Sequence, residues 1–302
     1  MPSQHPLAGV YAAAVTPLHD SALDLDSVPA LLTFLASRGC HGAVLFGTTG
    51  EGPSFSPGER EQLMRCAREA RETMQGFRLI AGTGTPSLSE TIDLTKLAFD
   101  LGLDGVLVVP PYYFRNATDH GLFLWFSELI QKAVPSDGLL LGYHFPRVAG
   151  IGLSIDLLTR LKESFPSQFA GIKDSSHDAE LARSLGERFG SDLVVLTGTD
   201  SYLQLAMQNK AAGCITAPAN ILSPDLREVW EAINQGRDST DAQARVKAQR
   251  DILDKYPSFP PTLKALLHRL HGFPRWTVRA PLESLAREAE ERVVQEFEAL
   301  TV

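Results

Sequence analysis

The chain has 302 residues and a formal charge of -8 at pH 7, with 44% hydrophobic and 21% charged residues. This composition is typical of an ordinary globular protein that works in water. The acidic balance disfavours nucleic acid as a main partner, because phosphate binding needs a basic face. No apolar run approaches the ~20 residues that a membrane-spanning helix requires, so we expect no membrane association either.

In chain order, eight short apolar strands alternate with helical segments. The strands are predicted at 9–15, 42–46, 78–82, 105–109, 139–144, 169–173, 193–196 and 213–216. The helices between and after them are predicted at 27–38, 56–74, 87–101, 118–133, 154–164, 178–189, 202–209 and 224–235. This alternation predicts an α/β protein, a (β/α)8 TIM barrel. An open doubly wound sheet is the alternative, but no nucleotide-binding loop is found, and Gly82-Thr83-Gly84 is better interpreted as a turn.

The pattern changes after Gln235. Helices are predicted at 238–255, 261–270 and 281–300 without strands between them, which indicates a small C-terminal helical extension. We therefore divide the chain into a barrel region, 1–224, with its active site at the C-terminal strand ends, and a C-terminal helical region, 225–302.

The cysteines are three in number and far apart, at Cys40, Cys66 and Cys214. Their spacing fits neither a disulfide framework nor a zinc site, so we expect no metal and a reducing, cytoplasmic location. His268 and His271 lie three apart near a helix end, but without a third ligand nearby they do not indicate a metal site.

The sixth strand ends in a lysine, Lys173, where the barrel would place it at the active-site end. Two interpretations are open. Lys173 is either a buried lysine paired with a carboxylate, for which Asp174 is at hand, or a desolvated amine that attacks a carbonyl and forms a Schiff base.

Other strand ends supply hydroxyls, phenols and glycine-rich turns. The Gly47-Thr48-Thr49-Gly50 segment is either a tight turn or a cradle of hydroxyl and N–H groups for a carboxylate. Tyr143 is either a core aromatic or a proton-transferring phenol beside the amine. Tyr112 and Tyr113 are either interface aromatics or site residues. Together these groups suggest an imine with a 2-oxo acid, held by its carboxylate, whose enamine adds to or is released from an aldehyde.

These motifs resemble the dihydrodipicolinate synthase / N-acetylneuraminate lyase family of pyruvate-dependent class I aldolases over essentially the whole chain. The resemblance rests on Gly47-Thr48-Thr49-Gly50-Glu51, Pro111-Tyr112-Tyr113, Tyr143-x-x-Pro146 and Gly171-Ile172-Lys173-Asp174. It implies a covalent imine at Lys173 without a separate cofactor, and a homotetramer built as a dimer of dimers. The implied roles are Lys173 as nucleophile, Tyr143 as proton carrier, Thr48 and Thr49 as carboxylate binders that orient Tyr143, Tyr113 as a residue entering the neighbouring subunit's site, and Gly198 and Ile215 as pocket lining.

One departure from the family pattern and one partial match to the sugar-acid lyases bear on the substrate. The synthases usually carry an arginine two places after Pro146, but here that place is Val148 and the arginine is Arg147. On an extended segment adjacent residues point to opposite sides, so Arg147 need not bind the aldehyde's carboxylate as the family arginine does. Ser175 and Asp200 match positions where the sugar-acid lyases bind hydroxyl groups.

We therefore expect a pyruvate-dependent aldolase that cleaves or forms a 2-keto-3-deoxy sugar acid or a 4-hydroxy-2-oxoglutarate. One alternative is 4-hydroxy-tetrahydrodipicolinate synthase, which condenses pyruvate with aspartate semialdehyde. A dehydratase acting through the same imine and a catalytically idle 2-oxo acid sensor are further alternatives.

Overall fold

A closed barrel of eight parallel strands forms the centre of the computed structural model, which describes residues 5–256 and 258–300. Each strand is hydrogen-bonded to its neighbours in chain order, and the first strand pairs with the last to close the barrel. The barrel strands are β1 (Gly9–Ala13), β2 (Gly42–Leu45), β3 (Arg78–Gly82), β4 (Gly105–Val108), β5 (Leu140–His144), β6 (Phe169–Asp174), β7 (Val194–Thr197) and β8 (Gly213–Thr216). The predicted (β/α)8 fold is thus confirmed.

The strands separate two hydrophobic layers because successive side chains point to opposite faces of a sheet. One buried cluster, which includes Tyr11, Leu141, Tyr143 and Leu196, fills the barrel interior. A larger cluster, which includes Ile172 and side chains of the surrounding helices, lies outside the strands. Each strand is therefore buried on both faces, which is why it reads as a continuous apolar run.

The helices begin largely where polar caps predict. Ser56 makes a capping box with Glu59, and Thr118, Ser154 and Asp178 each accept a hydrogen bond from a backbone N–H of the first helical turn. The helices are α1 (Val28–Ser37), α2 (Pro57–Arg71), α3 (Leu88–Asp100), α4 (Asp119–Ala133), α5 (Pro146–Ala149), α6 (Ile155–Ser164), α7 (Ala179–Phe189), α8 (Leu203–Gln208), α9 (Ala219–Asn234), α10 (Thr240–Leu253), α11 (Phe259–His271) and α12 (Arg287–Ala299).

Three element predictions were wrong. Helix α9 begins at Ala219, not at Pro224, because the buried Asn220 side chain bonds Ala13 O and Val15 N and ties the helix start to β1. Helix α12 begins at Arg287, six residues after Pro281, where its start was predicted. The segment after β5 is not extended but forms the short helix α5. A two-stranded hairpin, Leu18–His19 with Ala22–Leu23, was not predicted.

The last helices pack together and against the barrel helices. Helix α10 packs on α9, α11 contacts α9, and α12 contacts both α10 and α11. The predicted boundary at 224/225 falls inside α9, so the division into two regions stays a prediction. Within residues 5–256 and 258–300, no helix is long and apolar enough to cross a membrane.

Candidate active site

The ends of β5 and β6 bring Lys173 and Tyr143 together. The two residues are direct partners in the register of the parallel strands, and Leu196 of β7 is the next partner of Lys173. Because Ile172 belongs to the outer cluster and side chains alternate along a strand, Lys173 faces the interior with Tyr143 and Leu196. This position is the C-terminal end of the barrel, where TIM-barrel enzymes build their active sites.

The amine of Lys173 is buried, and no carboxylate of the described residues is paired with it. The residue is 4% exposed, and its Nζ lies 4.2 Å from the centroid of the Tyr143 ring. Within the residues that the structure describes, the Lys173 side chain makes no hydrogen bond and no ion pair. The interpretation of Lys173 as a structurally paired lysine therefore does not fit its surroundings.

Asp174, the anticipated partner, points the other way. Its register partner on β5 is His144, and its Oδ1 accepts a hydrogen bond from Ser176 N at 2.9 Å. Burial raises the pKa of Asp174 and lowers that of His144, whose Nδ1 accepts a hydrogen bond from Leu153 N. Strand alternation thus separates the Asp174 carboxylate from the amine of the preceding residue.

Tyr143 is 6% exposed and stacks on Phe145, with ring centroids 5.5 Å apart and an interplanar angle of 27°. Its ring lines a small cavity of about 120 Å³, together with Thr48 and several apolar side chains. We call this the tyrosine cavity. Lys173 does not line the tyrosine cavity. It contacts the ring of Tyr143, which does.

The turn after β2, which we call the threonine loop (47–51), is held by hydrogen bonds to its backbone carbonyls. Thr16 Oγ1 donates to Gly50 O at 2.7 Å, and Gly52 N donates to Gly47 O at 3.2 Å. Thr49 is buried and Thr48 is exposed, and both line a second cavity described below. These contacts give the loop a fixed shape before any ligand binds.

A buried ion pair anchors the end of the threonine loop to the C-terminal helices. Glu51 has a left-handed φ of 55° and is 0% exposed in its side chain. Its Oε1 lies 2.5 Å from Lys264 Nζ of α11, and its Oε2 accepts a hydrogen bond from Arg279 N at 2.9 Å. Lys264 also donates to Thr277 O, so both charges have partners. The carboxylate is thereby fixed to two segments far away in the sequence.

Gly198, Ser175 and Ile215 lie near the strand ends, as predicted. Gly198 N donates to Asp174 O at 2.6 Å, and a Cβ on Gly198 would come within 1.9 Å of Ser175 Oγ, so a side chain there would require Ser175 to move. Ser175 is buried. Ile215 is fully buried in the interior cluster that also contains Tyr143.

The expectation that Asp200 faces the substrate needs correction. The side chain is fully buried, and Oδ1 lies 3.0 Å from Arg250 Nη1 of α10. Burial raises the pKa of Asp200, and Arg250 opposes that rise. Asp200 begins the short 3-10 turn Asp200–Tyr202 and lines neither cavity itself, although its partner Arg250 lines the second cavity described below.

Tyr113 and Arg147 are both exposed. Tyr113 is 76% exposed, packs edge-on against Phe114 with ring centroids 5.3 Å apart, and lines neither of the two cavities described here. Arg147 lies on α5 and lines the second cavity, which has a volume of about 490 Å³ and which we call the mouth cavity. Thr48 and Thr49 belong to the same lining, so this cavity adjoins the threonine loop.

Three charged or polar groups near the site were missed from the sequence. His177 and Arg250 line the mouth cavity, and Lys264 anchors Glu51. A lysine inside the apolar run Thr262–Leu267 was a usable signal for Lys264, because unpaired charges are rarely buried. Within residues 5–256 and 258–300, no group of three or more histidine, cysteine or acidic residues is arranged to hold a metal.

Comparisons with known proteins agree on one family. The model of the dihydrodipicolinate synthetase family matches residues 6–300. An uncharacterized DapA-like lyase of Chloroflexus aurantiacus is 36% identical over 282 residues, covering 93% of this chain and 92% of that protein. The 4-hydroxy-tetrahydrodipicolinate synthase 1 of Streptomyces coelicolor is 33% identical, covering 94% and 90%. The crystal structure of dihydrodipicolinate synthase from Agrobacterium tumefaciens has a TM-score of 0.88 at 31% identity, covering 97% and 99%.

Proposed function

We propose a specific reaction for this chain, which belongs to the dihydrodipicolinate synthetase family and is a pyruvate-dependent class I aldolase. The reaction is the reversible cleavage of a 2-oxo acid, such as a 2-keto-3-deoxy sugar acid or a 4-hydroxy-2-oxoglutarate, to pyruvate and an aldehyde. The observation that carries the proposal is the Lys173 amine, which is buried 4.2 Å from the Tyr143 ring centroid and has no carboxylate partner among residues 5–256 and 258–300.

Substrate binding begins at the threonine loop. Thr48 and Thr49 hold the C1 carboxylate of the 2-oxo acid, because hydroxyl and backbone N–H groups in a fixed turn favour an anion. The unprotonated Lys173 amine then attacks C2, and the resulting carbinolamine loses water to give a protonated imine. Tyr143 carries the protons that this step needs, since its phenol lies in the same interior layer.

Cleavage follows from the protonated imine, which accepts electrons. A base removes the proton of the C4 hydroxyl, the C3–C4 bond breaks, and its electron pair moves into the imine to give an enamine. The aldehyde leaves, C3 takes up a proton, and water hydrolyses the new imine to pyruvate and free Lys173. Every proton and electron pair is accounted for within the substrate, water and the protein side chains, so the proposed steps use no separate cofactor.

The remaining site residues have supporting roles in the proposal. Gly198 and Ile215 line the pyruvate end, and Ser175 lies beside Gly198. Tyr113, which is exposed on its own chain, would enter the site of a second copy in a homotetramer arranged as a dimer of dimers. We further propose that the enzyme works in the cytoplasm.

Synthase activity is the second candidate, because several relatives are named 4-hydroxy-tetrahydrodipicolinate synthase. In that case the enamine adds to aspartate semialdehyde instead of forming by cleavage. Arg147 on α5 would then bind the aldehyde's carboxylate, although it stands one residue before the family's usual arginine position.

The test combines covalent trapping with a substrate screen. Borohydride reduction in the presence of pyruvate should add a reduced three-carbon adduct at Lys173, identified by peptide mass spectrometry. A screen of 2-oxo acids for released pyruvate, with aspartate semialdehyde turnover in parallel, then separates aldolase from synthase.

Lys173→Ala is the control in both assays. Folded protein that forms no adduct at Lys173 would refute the proposal. Turnover of aspartate semialdehyde, together with no cleavage of any 2-oxo acid in the screen, would replace aldolase with synthase.

A further inference from the structure

A third cavity lies outside the barrel, between the end of α1 and helices α9, α10, α11 and α12, and we call it the lateral cavity. Its volume is about 520 Å³, a size that suits a small-molecule ligand. It shares no lining residue with the tyrosine cavity or the mouth cavity, so it is separate from the candidate active site. Much of its lining is apolar, and the apolar members are Ile221, Pro224, Ala248, Leu270, Phe297 and Leu300.

Two charged groups of this lining, Arg245 and Asp225, offset each other. Arg245 Nε lies 2.8 Å from Asp225 Oδ1, and Arg245 also pairs with Glu228. Asp225 Oδ2 accepts a further hydrogen bond from Gln249 Nε2 at 2.7 Å. Glu298 has no cation partner among residues 5–256 and 258–300, but it is exposed, so water can solvate its carboxylate. None of these groups therefore needs a ligand to offset its charge.

Arg38, which directly follows α1, is different. Its Nη2 donates to Ile221 O at 2.9 Å, whereas its Nε is buried without a hydrogen-bond partner among the described residues. In the part of the chain that the structure describes, Arg38 is half-buried and makes no ion pair. Burial lowers the pKa of Arg38, although Cys40 and Asp225 oppose that effect. A partly buried cation without an anion costs free energy, which a bound anion would offset.

His271, at the end of α11, lies beside Arg38 in the same lining. Both side chains pack on the ring of Phe34: Arg38 Cζ lies 5.2 Å from its centroid, and the His271 ring centroid lies 4.8 Å from it. Burial and then Arg38 lower the pKa of His271, and the imidazole makes no hydrogen bond with any described residue. A neutral imidazole keeps one N–H donor. The lining therefore holds two neighbouring donor groups without an anion.

We propose that the lateral cavity binds a small monocarboxylic acid with an apolar chain or ring. The carboxylate accepts hydrogen bonds from Arg38 and His271, and the apolar part packs against side chains such as Leu270 and Phe297. An apolar molecule without a charge would leave Arg38 without an anion, and a cation would be repelled by it. The site is independent of the aldolase reaction, because it shares no residue with the proposed catalytic groups.

The experiment measures, by isothermal titration calorimetry, how the full chain binds four probes that differ in charge and in apolar length. The probes are octanoate, 1-octanol, octylamine and acetate. Octanoate should have a Kd about 10- to 100-fold lower than 1-octanol, because only the acid supplies an anion to Arg38. Octylamine should bind more weakly still. Acetate should bind at least about 10-fold more weakly than octanoate, because it has no chain to bury in the cavity.

Variants assign the binding to this cavity. Arg38→Gln should raise the Kd of octanoate about 10-fold or more and leave that of 1-octanol nearly unchanged. Ala248→Trp places a large side chain in the lining and should weaken the binding of both probes. Glu298→Gln removes an anion from the lining and should lower the Kd of octanoate slightly. Arg237→Gln, which changes an exposed arginine after α9, is the matched control and should bind as the wild type does.

Two results would overturn the inference. One is octanoate binding that is no tighter than the binding of 1-octanol. The other is octanoate binding that Ala248→Trp leaves unchanged, since the acid would then occupy another place on the protein. Circular dichroism shows whether each variant is folded. Ala248→Trp removes no side-chain hydrogen bond, so it tests the site even where Arg38→Gln does not fold.

Discussion

Two lysines of this chain are almost equally buried, yet their surroundings differ completely. Lys173 is 4% exposed and Lys264 is 1% exposed. Lys264 Nζ lies 2.5 Å from Glu51 Oε1 and 2.7 Å from Thr277 O, whereas Lys173 contacts the face of the Tyr143 ring. Burial alone therefore does not mark a reactive amine; the presence or absence of a carboxylate partner separates the two.

The partner also decides what each lysine can do. Burial lowers the pKa of Lys264, but Glu51 opposes that effect and holds the ammonium in an ion pair. A lysine in such a pair is a structural link, here between α11 and the threonine loop. Among the described residues no acidic side chain pairs with Lys173, because strand alternation directs Asp174 outward. One lysine thus fixes the loop proposed to bind the carboxylate, and the other is free to react.

The largest expected effect is on catalysis, from Lys173→Met. Removing the nucleophile should lower kcat/KM for pyruvate release by roughly four orders of magnitude or more. The free energy of unfolding should stay the same or rise, because methionine fills similar space without a buried polar group that lacks a partner. Steady-state kinetics and urea unfolding of the same preparation measure both quantities.

Lys173→Arg is the companion variant, since it keeps a positive charge but cannot form an imine. It should be as inactive as Lys173→Met and less stable. If Lys173→Met instead lost several kcal/mol of stability, Lys173 would be a structural lysine like Lys264, and the contrast between them would disappear.

The fold was largely predictable because each barrel strand is a short apolar run that ends in a turn. Strands β3 and β8 have the predicted bounds, and the capping box of Ser56 opens α2 at the predicted start of that helix. The errors fall where a tertiary contact overrides local sequence. Asn220 donates a hydrogen bond to β1, and α9 therefore begins earlier than predicted. Pro146 begins a helical turn where an extended segment was expected.

The second expected effect is on stability, from Lys264→Met. This change leaves the Glu51 carboxylate buried without its cation, and breaking such a pair costs about 3–5 kcal/mol of the free energy of unfolding. The double variant Glu51→Gln/Lys264→Met removes both charges and should recover part of the loss. Urea unfolding of the two single variants and the double variant gives the coupling energy between the side chains.

A functional measurement shows what the pair does for the site. Because Glu51 ends the threonine loop, Lys264→Met should raise KM for the 2-oxo acid more than it lowers kcat, while borohydride still traps pyruvate at Lys173. Additive losses in the double variant would mean that Glu51 and Lys264 do not stabilise each other, contrary to the geometry.

Sequence predicted the chemical groups of the candidate site better than it predicted their partners. Lys173, Tyr143 and the threonine loop follow from strand ends, which a barrel brings together. The pairing of Asp200 with Arg250 and of Glu51 with Lys264 joins residues 50 and 213 positions apart. No local pattern encodes such contacts, so the sequence assigned Asp200 to the substrate and gave Lys264 no role.

The smallest expected effect concerns Glu59, which pairs with Arg279. Arg279 also binds Glu51, so this pair lies next to the anchor of the threonine loop. Arg279 donates its N–H to Glu51, and its guanidinium lies 2.5 Å from Glu59 Oε1. This hydrogen bond, helped by Ser56, lowers the pKa of Glu59 to about 2. The folded pKa lies below the unfolded value of about 4.3, so the stabilisation is present above pH ~4.3 and is lost as the pH falls toward 2.

Because Glu59 is 31% exposed, solvent limits its contribution to about 1 kcal/mol or less. Glu59→Gln keeps the capping box and removes only the charge, so urea unfolding should show a deficit at pH 7 that shrinks between pH 4.3 and pH 3. A deficit that persists unchanged at pH 3 would mean that packing, and not the charge on Glu59, stabilises this contact. The exposed pair Glu59–Arg279 should therefore depend on pH and contribute little, whereas the buried pair Glu51–Lys264 should contribute several times more.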